Sequence, residues 1–180
     1  STWSAIANLY LQMKDPEKAL NATTEALAVS SASIAPKIFI EISISRGVAL
    51  SILKRNDEAL KEYQSALKIG QEENLPYTVA LALFNIADQY LIKKDFKRAE
   101  MYARDAMAKS QALEDNWGIA GAKVNLGFAL GGQGKIAQGA ELVNQSLEFF
   151  KKAHANTDVE MILGEYSLMY EEAGMYKEAL

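Results

Sequence analysis

The sequence contains no cysteine, only three prolines and a single histidine in 180 residues. Without cysteine there can be no disulfide, no thiolate metal site and no cysteine nucleophile, and an oxidising compartment is as acceptable as a reducing one. The lone His154, in "FFKKAHANTD", has no partner at helical spacing with which to ligate a metal or act as a catalytic base. It reads as a solvated residue at a helix C-terminus, where its cationic form suits the helix dipole. Basic residues are also outnumbered: 19 Lys and Arg against 23 Asp and Glu leave a net charge of −4. A phosphate backbone needs a basic face, so nucleic acid is not an expected partner. No apolar run approaches the ~20 residues that cross a bilayer, so no direct membrane insertion is expected within this segment. What is present is an ordinary soluble composition, 49% hydrophobic and 23% charged with a mean hydropathy of −0.09. Both the periplasm and the cytoplasm suit such a segment.

The positive signal is an internal repeat. Small residues recur 40 apart at Ala7, Gly47, Ala87, Gly127 and Ser167, and again at Ala19, Ala59, Ala99, Gly139 and Ala179. A third small column is Ala26, Ala66, Ala106 and Ser146, and a large column is Tyr10, Leu50, Tyr90, Leu130 and Tyr170. Within each unit the apolar spacing is helical: Ile86, Ala87, Tyr90 and Leu91 form one stripe, and Ala99, Tyr102, Ala103, Ala106 and Met107 a second. Two stripes separated by a short polar break predict a helix–turn–helix hairpin. The breaks fall at 14–16, 54–57, 93–95, 132–134 and 173–174, and a further break precedes each new unit at Pro36, Pro76, Asn116 and Asn156. Proline suits a helix's first turn and asparagine its cap. The units are 1–35, 36–75, 76–115, 116–155 and a partial 156–180, forming one repeat domain. The small columns have a packing reason, because helix axes about 8–10 Å apart need residues without bulk where they approach.

The repeat register also interprets "LGGQGKIAQGA" (130–140), whose glycines invite a phosphate-binding reading. Gly134 shares the hairpin-turn column with Lys14, Lys54, Lys94 and Gly174. A Walker loop needs glycine and Ser or Thr where Ala129 and Ile136 stand, and a dinucleotide fingerprint at Gly132, Gly134 and Ala137 lacks the strand it must follow. Glycine in a helix-ending turn permits positive φ without steric cost, so a turn is expected here. No cofactor, no metal and no catalytic residue is expected anywhere in the chain.

With Trp3-x2-Ile6-Ala7-x2-Tyr10 in the first unit, Leu126-Gly127-x2-Leu130 in the fourth and "LMYEEAGMYKEAL" in the fifth, the chain resembles the tetratricopeptide repeat (TPR) family over essentially its whole length. It departs from the family in its period, 40 in place of 34, and in the closing proline, replaced by Ser31, Gln71, Gln111 and Lys151. The resemblance implies an all-α, right-handed α-solenoid of about nine to ten helices, and long-period arrays of this kind look like those of bacterial signalling proteins. It also implies a concave groove lined by the first helix of each unit, binding a protein or peptide ligand. The groove columns hold Ser4, Asn8 and Gln12, then Ile44 and Val48, Phe84 and Asp88, and Val124 and Phe128. No Lys stands in them, so the family's carboxylate clamp for chaperone tails is not expected. The neighbouring column holds Ser45, Asn85, Asn125 and Glu165, and in other family members an asparagine there contacts a ligand backbone. The expected peptide-binding groove is therefore Asn8, Phe84, Asn85, Asp88, Val124, Asn125 and Phe128, with Trp3 and Trp117 as packing residues. Two further readings stand beside the non-catalytic interaction module. One is a sensory or regulatory input region of a membrane-anchored bacterial protein of diguanylate cyclase or kinase type. The other is self-association into a homo-oligomer through open solenoid ends. Neither end supplies a polar capping unit, so the chain is expected to be a fragment of a longer protein.

Overall fold

A computed structural model describes residues 2–29, 35–172 and 174–175, except for the side chains of residues 2, 3 and 29. The side chain of Trp3 and residues Ser31, Tyr176, Ala179 and Leu180 lie outside the described residues. Among the described residues there are nine α-helices and no strand. They are α1 (Thr2–Gln12), α2 (Pro16–Val29), α3 (Pro36–Ile52), α4 (Asn56–Glu72), α5 (Pro76–Ile92), α6 (Phe96–Ala112), α7 (Asn116–Gly132), α8 (Ile136–Lys152) and α9 (Asn156–Glu172). From α3 onward every helix is 17 residues long.

The described turns share one construction. Lys14, Lys54, Asn74, Lys94, Glu114 and His154 sit at φ between 53° and 62°, with Gly134 at 81° and Gly174 at 73°. In each case the next residue's N–H reaches back five residues, as from Asp95 to the Tyr90 carbonyl (2.9 Å) and from Lys135 to Leu130 (2.9 Å). The left-handed residue itself bonds back three, Lys94 to Leu91 at 2.8 Å and Gly134 to Gly131 at 2.8 Å. This is the Schellman closure, which satisfies two carbonyls that a helix end would otherwise leave orphaned. The described turns between hairpins, at Asn74, Glu114 and His154, have the same geometry as those within them. From α3 onward the backbone thus repeats every 20 residues, while the side-chain columns repeat every 40.

Helix starts follow from the same register. Pro36 and Pro76 occupy first helical positions, where a missing N–H costs nothing. Asn116 and Asn156 are also first helical residues and not caps. The cap of α7 is Asp115, whose carboxylate accepts from the Gly118 N–H at 3.0 Å. Asp95 does the same for Arg98 at the start of α6, and Asp15 for Lys18 in α2 (both 3.1 Å). A carboxylate one position earlier meets the bare N–H groups and the positive dipole end more effectively than an asparagine inside the first turn.

The described residues group into two compact units, Ser1–Gln89 and Tyr90–Leu180, with the boundary inside α5. In unit 1 the small columns are buried at Ala7, Ala19, Ala26, Gly47, Ala59 and Ala66. Gly47 of α3 receives the ring of Tyr63 from α4: a Cβ there would stand 2.5 Å from the ring. Arg46 fastens three helices, donating to Glu62 (3.0 Å) in α4 and Thr24 (2.6 Å) in α2. In unit 2, Gly127 of α7 faces Gly139 of α8, and a Cβ on Gly127 would meet the Gly139 carbonyl oxygen at 2.8 Å and the Val143 side chain at 2.7 Å. Around this contact Val124, Phe128, Ala140, Val143, Leu147, Phe150, Ile162 and Met169 form one core cluster. The hairpin reading of the small columns therefore holds in both units.

Candidate partner-binding face

Most of the buried polar residues of unit 1 lie on its first helices: Ser4 on α1, Ser43 and Ser45 on α3 and Gln89 on α5, with Thr23 on α2. Ser4 Oγ donates to Glu41 Oε2 and Ser45 Oγ to Asn8 Oδ1, each at 3.0 Å. Gln89 Nε2 donates to Ser51 Oγ at 2.9 Å. The partners are 37, 37 and 38 residues apart, which is one 40-residue period less roughly one turn. Successive first helices therefore lie side by side with a one-turn offset, and hydroxyl, amide and carboxylate groups form the rungs between them. These rungs were not legible beforehand, because the offset is a packing quantity. The only hint was polar residues recurring in first helices.

Phe84, Asn85 and Asp88 stand together on α5 and are all half-buried. The Asn85 amide donates one N–H, at 2.8 Å, to the Leu81 carbonyl of its own helix, which leaves its second N–H and Oδ1 to offer elsewhere. Desolvation pushes the Asp88 carboxyl up to about 6, opposed only by a weak bond from Gln89. Burial first, and the Asp88 charge second, hold the Tyr63 phenol above its usual range, so Tyr63 is a neutral hydroxyl. Asn8 is exposed on α1.

The matching positions of unit 2 have a different environment. Val124, Asn125 and Phe128 are buried, at 7%, 6% and 9% exposure, and the two apolar side chains belong to the core cluster with Val143, Ile162 and Met169. Burial leaves these three little surface with which to form a groove wall. A helix as small-featured as α7 allows α8 and α9 to close over its side chains. Trp117 packs edge-on against Phe149 and Phe150 (5.8 and 5.2 Å between centroids) yet stays half exposed. The glycine-rich stretch is the α7–α8 turn. Gly132 leaves room for the Phe96 ring, and Gln133 donates to Glu100 (2.7 Å) and to the Ala129 and Phe96 carbonyls. Beside it lies a shallow depression of about 450 Å³ lined by Lys93, Lys94, Asp95, Phe96, Lys97 and Gln133. Its charges are largely compensated, with Lys94 on Glu172 (2.9 Å) and Asp95 on Arg98 (2.6 Å). His154 is exposed at the left-handed turn position after α8. Among the described residues no group of three metal-ligating side chains occurs, and no helix is long and apolar enough to cross a membrane.

Helix pairs of this construction, with small columns at the crossings and first helices in parallel rank, define an all-α helical-repeat protein. Comparison with solved structures places the chain more closely, in the TPR-like repeat fold. It is similar to a Rap protein solved in complex with Competence and Sporulation Factor, with a TM-score of 0.85 at 16% identity, covering 98% of this chain and 50% of that one. It is likewise similar to the Rap conjugation gene regulator of plasmid pLS20 in complex with the Phr* peptide (TM-score 0.73, 17% identity, 97% of this chain and 48% of that one). A third relative is a putative kinesin light chain of Podosopora anserina with TPR-like repeats (TM-score 0.71, 14% identity, 99% and 88%). The chain spans about half the length of these two Rap proteins. No family model matches the sequence, and no curated protein matches it.

Proposed function

We propose that the chain is a non-catalytic protein-interaction module that receives an extended peptide segment on the first-helix face of unit 1. The observation that carries this reading is the half-buried cluster of Phe84, Asn85 and Asp88 on α5, with exposed Asn8 on α1, on helices joined by a row of hydrogen-bonded polar rungs. An acceptor such as Asn85 Oδ1 can take the N–H of a peptide unit whatever its side chain, and Phe84 offers an apolar contact beside it. The Rap protein that resembles this chain and holds a peptide supports the reading by analogy of fold. The buried Val124, Asn125 and Phe128 serve this function as scaffold.

The test is selection of short random linear peptides against the chain, followed by affinity measurements on Asn8→Ala and Phe84→Ala. Each should weaken binding by roughly tenfold while leaving the helical circular-dichroism spectrum unchanged. Peptides that bind both variants as tightly as the parent protein would move the site off this face. A second reading, self-association, is favoured by Met161, Leu163 and Leu168 of α9, which are 59%, 45% and 57% exposed. Sedimentation should then show an oligomer that Leu168→Lys disperses, and a monomer at high concentration would dispose of it.

A further inference from the structure

Several other carboxylates in unit 1 meet donors of their own. Glu62 pairs with Arg46 (3.0 Å), Glu58 with Arg55 (2.8 Å) and Asp15 with Lys18 (2.8 Å), and Glu41 accepts from Ser4. Asp88 differs. It is half-buried, yet its only recorded partner is the Gln89 amide at 3.4 Å, and no cation among the described residues pairs with it. The nearby Tyr63 is a neutral phenol and brings no compensating charge. Gln89 is fully buried, gives its amide N–H groups to Ser51 and Asp88, and keeps an unpartnered Oε1. A carboxylate drawn part-way out of water without a countercharge is costly, and such a group persists where something outside the fold supplies the charge. Its position adds direction, since Phe84 lies one turn earlier on the same helix face and Asn85 beside it.

We infer that Asp88 anchors a cationic nitrogen of the bound peptide, either a Lys or Arg side chain or a free terminal amine. This rests on the groove reading above and gives it a specificity: a cation on Asp88 with an apolar residue against Phe84. A cation arriving there would give the carboxylate the countercharge it lacks and add a short charge-assisted bond to the weak amide contact.

Short random linear peptides displayed on phage are selected in parallel against the wild-type chain and against Asp88→Asn. Wild-type selections should converge on Lys, Arg or an unblocked amino terminus at fixed spacing from an apolar residue, and selections on the variant should lose that feature. Selected peptides are then resynthesised with Lys replaced by norleucine, Arg by citrulline, or the amino terminus acetylated, which separates a side-chain cation from a terminal one. Removing the relevant cation should weaken binding to the wild type by roughly tenfold to a hundredfold and leave binding to the variant about unchanged. The peptide-side changes on the wild-type protein carry the test even if the variant fails to fold. Peptides that need Phe84 but show no cation requirement, or that lose affinity equally on both proteins, overturn the Asp88 assignment and leave the groove standing. Selected peptides indifferent to Phe84→Ala, or no selected peptide at all, overturn the groove reading and this inference together.

Discussion

Unit 1 and unit 2 carry glycine at the same point of equivalent hairpins, Gly47 and Gly127, and fill the space across from it differently. In unit 1 the space takes the ring of Tyr63, which is 1% exposed. In unit 2 a second glycine, Gly139, stands opposite, so that the backbones of α7 and α8 touch and Val143 fills what remains. Side chains carry the crossing in one unit and main chain in the other. Burial differs as well: the tighter unit buries Val124, Asn125 and Phe128, while unit 1 leaves Phe84, Asn85 and Asp88 partly open.

The sharpest way to break this comparison is to remove the large partner. Tyr63→Ala should cost about 3–5 kcal/mol by denaturant titration, because nothing small enough to refill a ring-sized cavity is nearby. An effect below that of an ordinary surface change would show that the Gly47 crossing is not closed by this ring. The second test adds one carbon to the main-chain contact. Gly139→Ala presses on the Gly127 carbonyl oxygen, which cannot rotate away, and should cost near the top of about 1–3 kcal/mol. Gly47→Ala should cost less than Gly139→Ala, since a ring can tilt more readily than two helices can part.

Asp88 sharpens the comparison from the opposite direction, because its neutralisation should stabilise. Its carboxyl is raised from an ordinary 3.8 to about 6, so the folded chain binds the proton more tightly than the unfolded one. That contribution is fully present below pH 3.8 and is lost as pH rises through about 6. Asp88→Asn should therefore raise stability at pH 7 by about 1–3 kcal/mol and have little effect near pH 4. Equal stabilisation at both values would separate the effect from ionisation. The smallest expected effect concerns the turns, where Lys54 in unit 1 and Gly134 in unit 2 hold the same left-handed position. Lys54→Gly should gain about 0.5–1 kcal/mol and Gly134→Ala lose a similar amount, which paired thermal melts would detect.

The small columns were readable in the sequence because a close helix crossing tolerates little besides Gly, Ala and Ser, so sterics write it into composition at fixed intervals. Gly134 was readable as a turn for a related reason, since a glycine there matches a left-handed backbone. The same backbone at Lys54, Asn74, Lys94, Glu114 and His154 was not, because the Schellman hydrogen bonds impose it on residues that do not advertise it. Hence the 20-residue backbone repeat stayed hidden beneath a 40-residue pattern of side chains. Asn85 and Asn125 show the limit most clearly. They occupy one column and one helix phase, yet Asn85 is half-buried with one amide N–H on Leu81, and Asn125 is 6% exposed. A repeat pattern determines which face of a helix turns toward its neighbours. How far those neighbours close over that face depends on the bulk of the helices around it, and only the tertiary structure decides that.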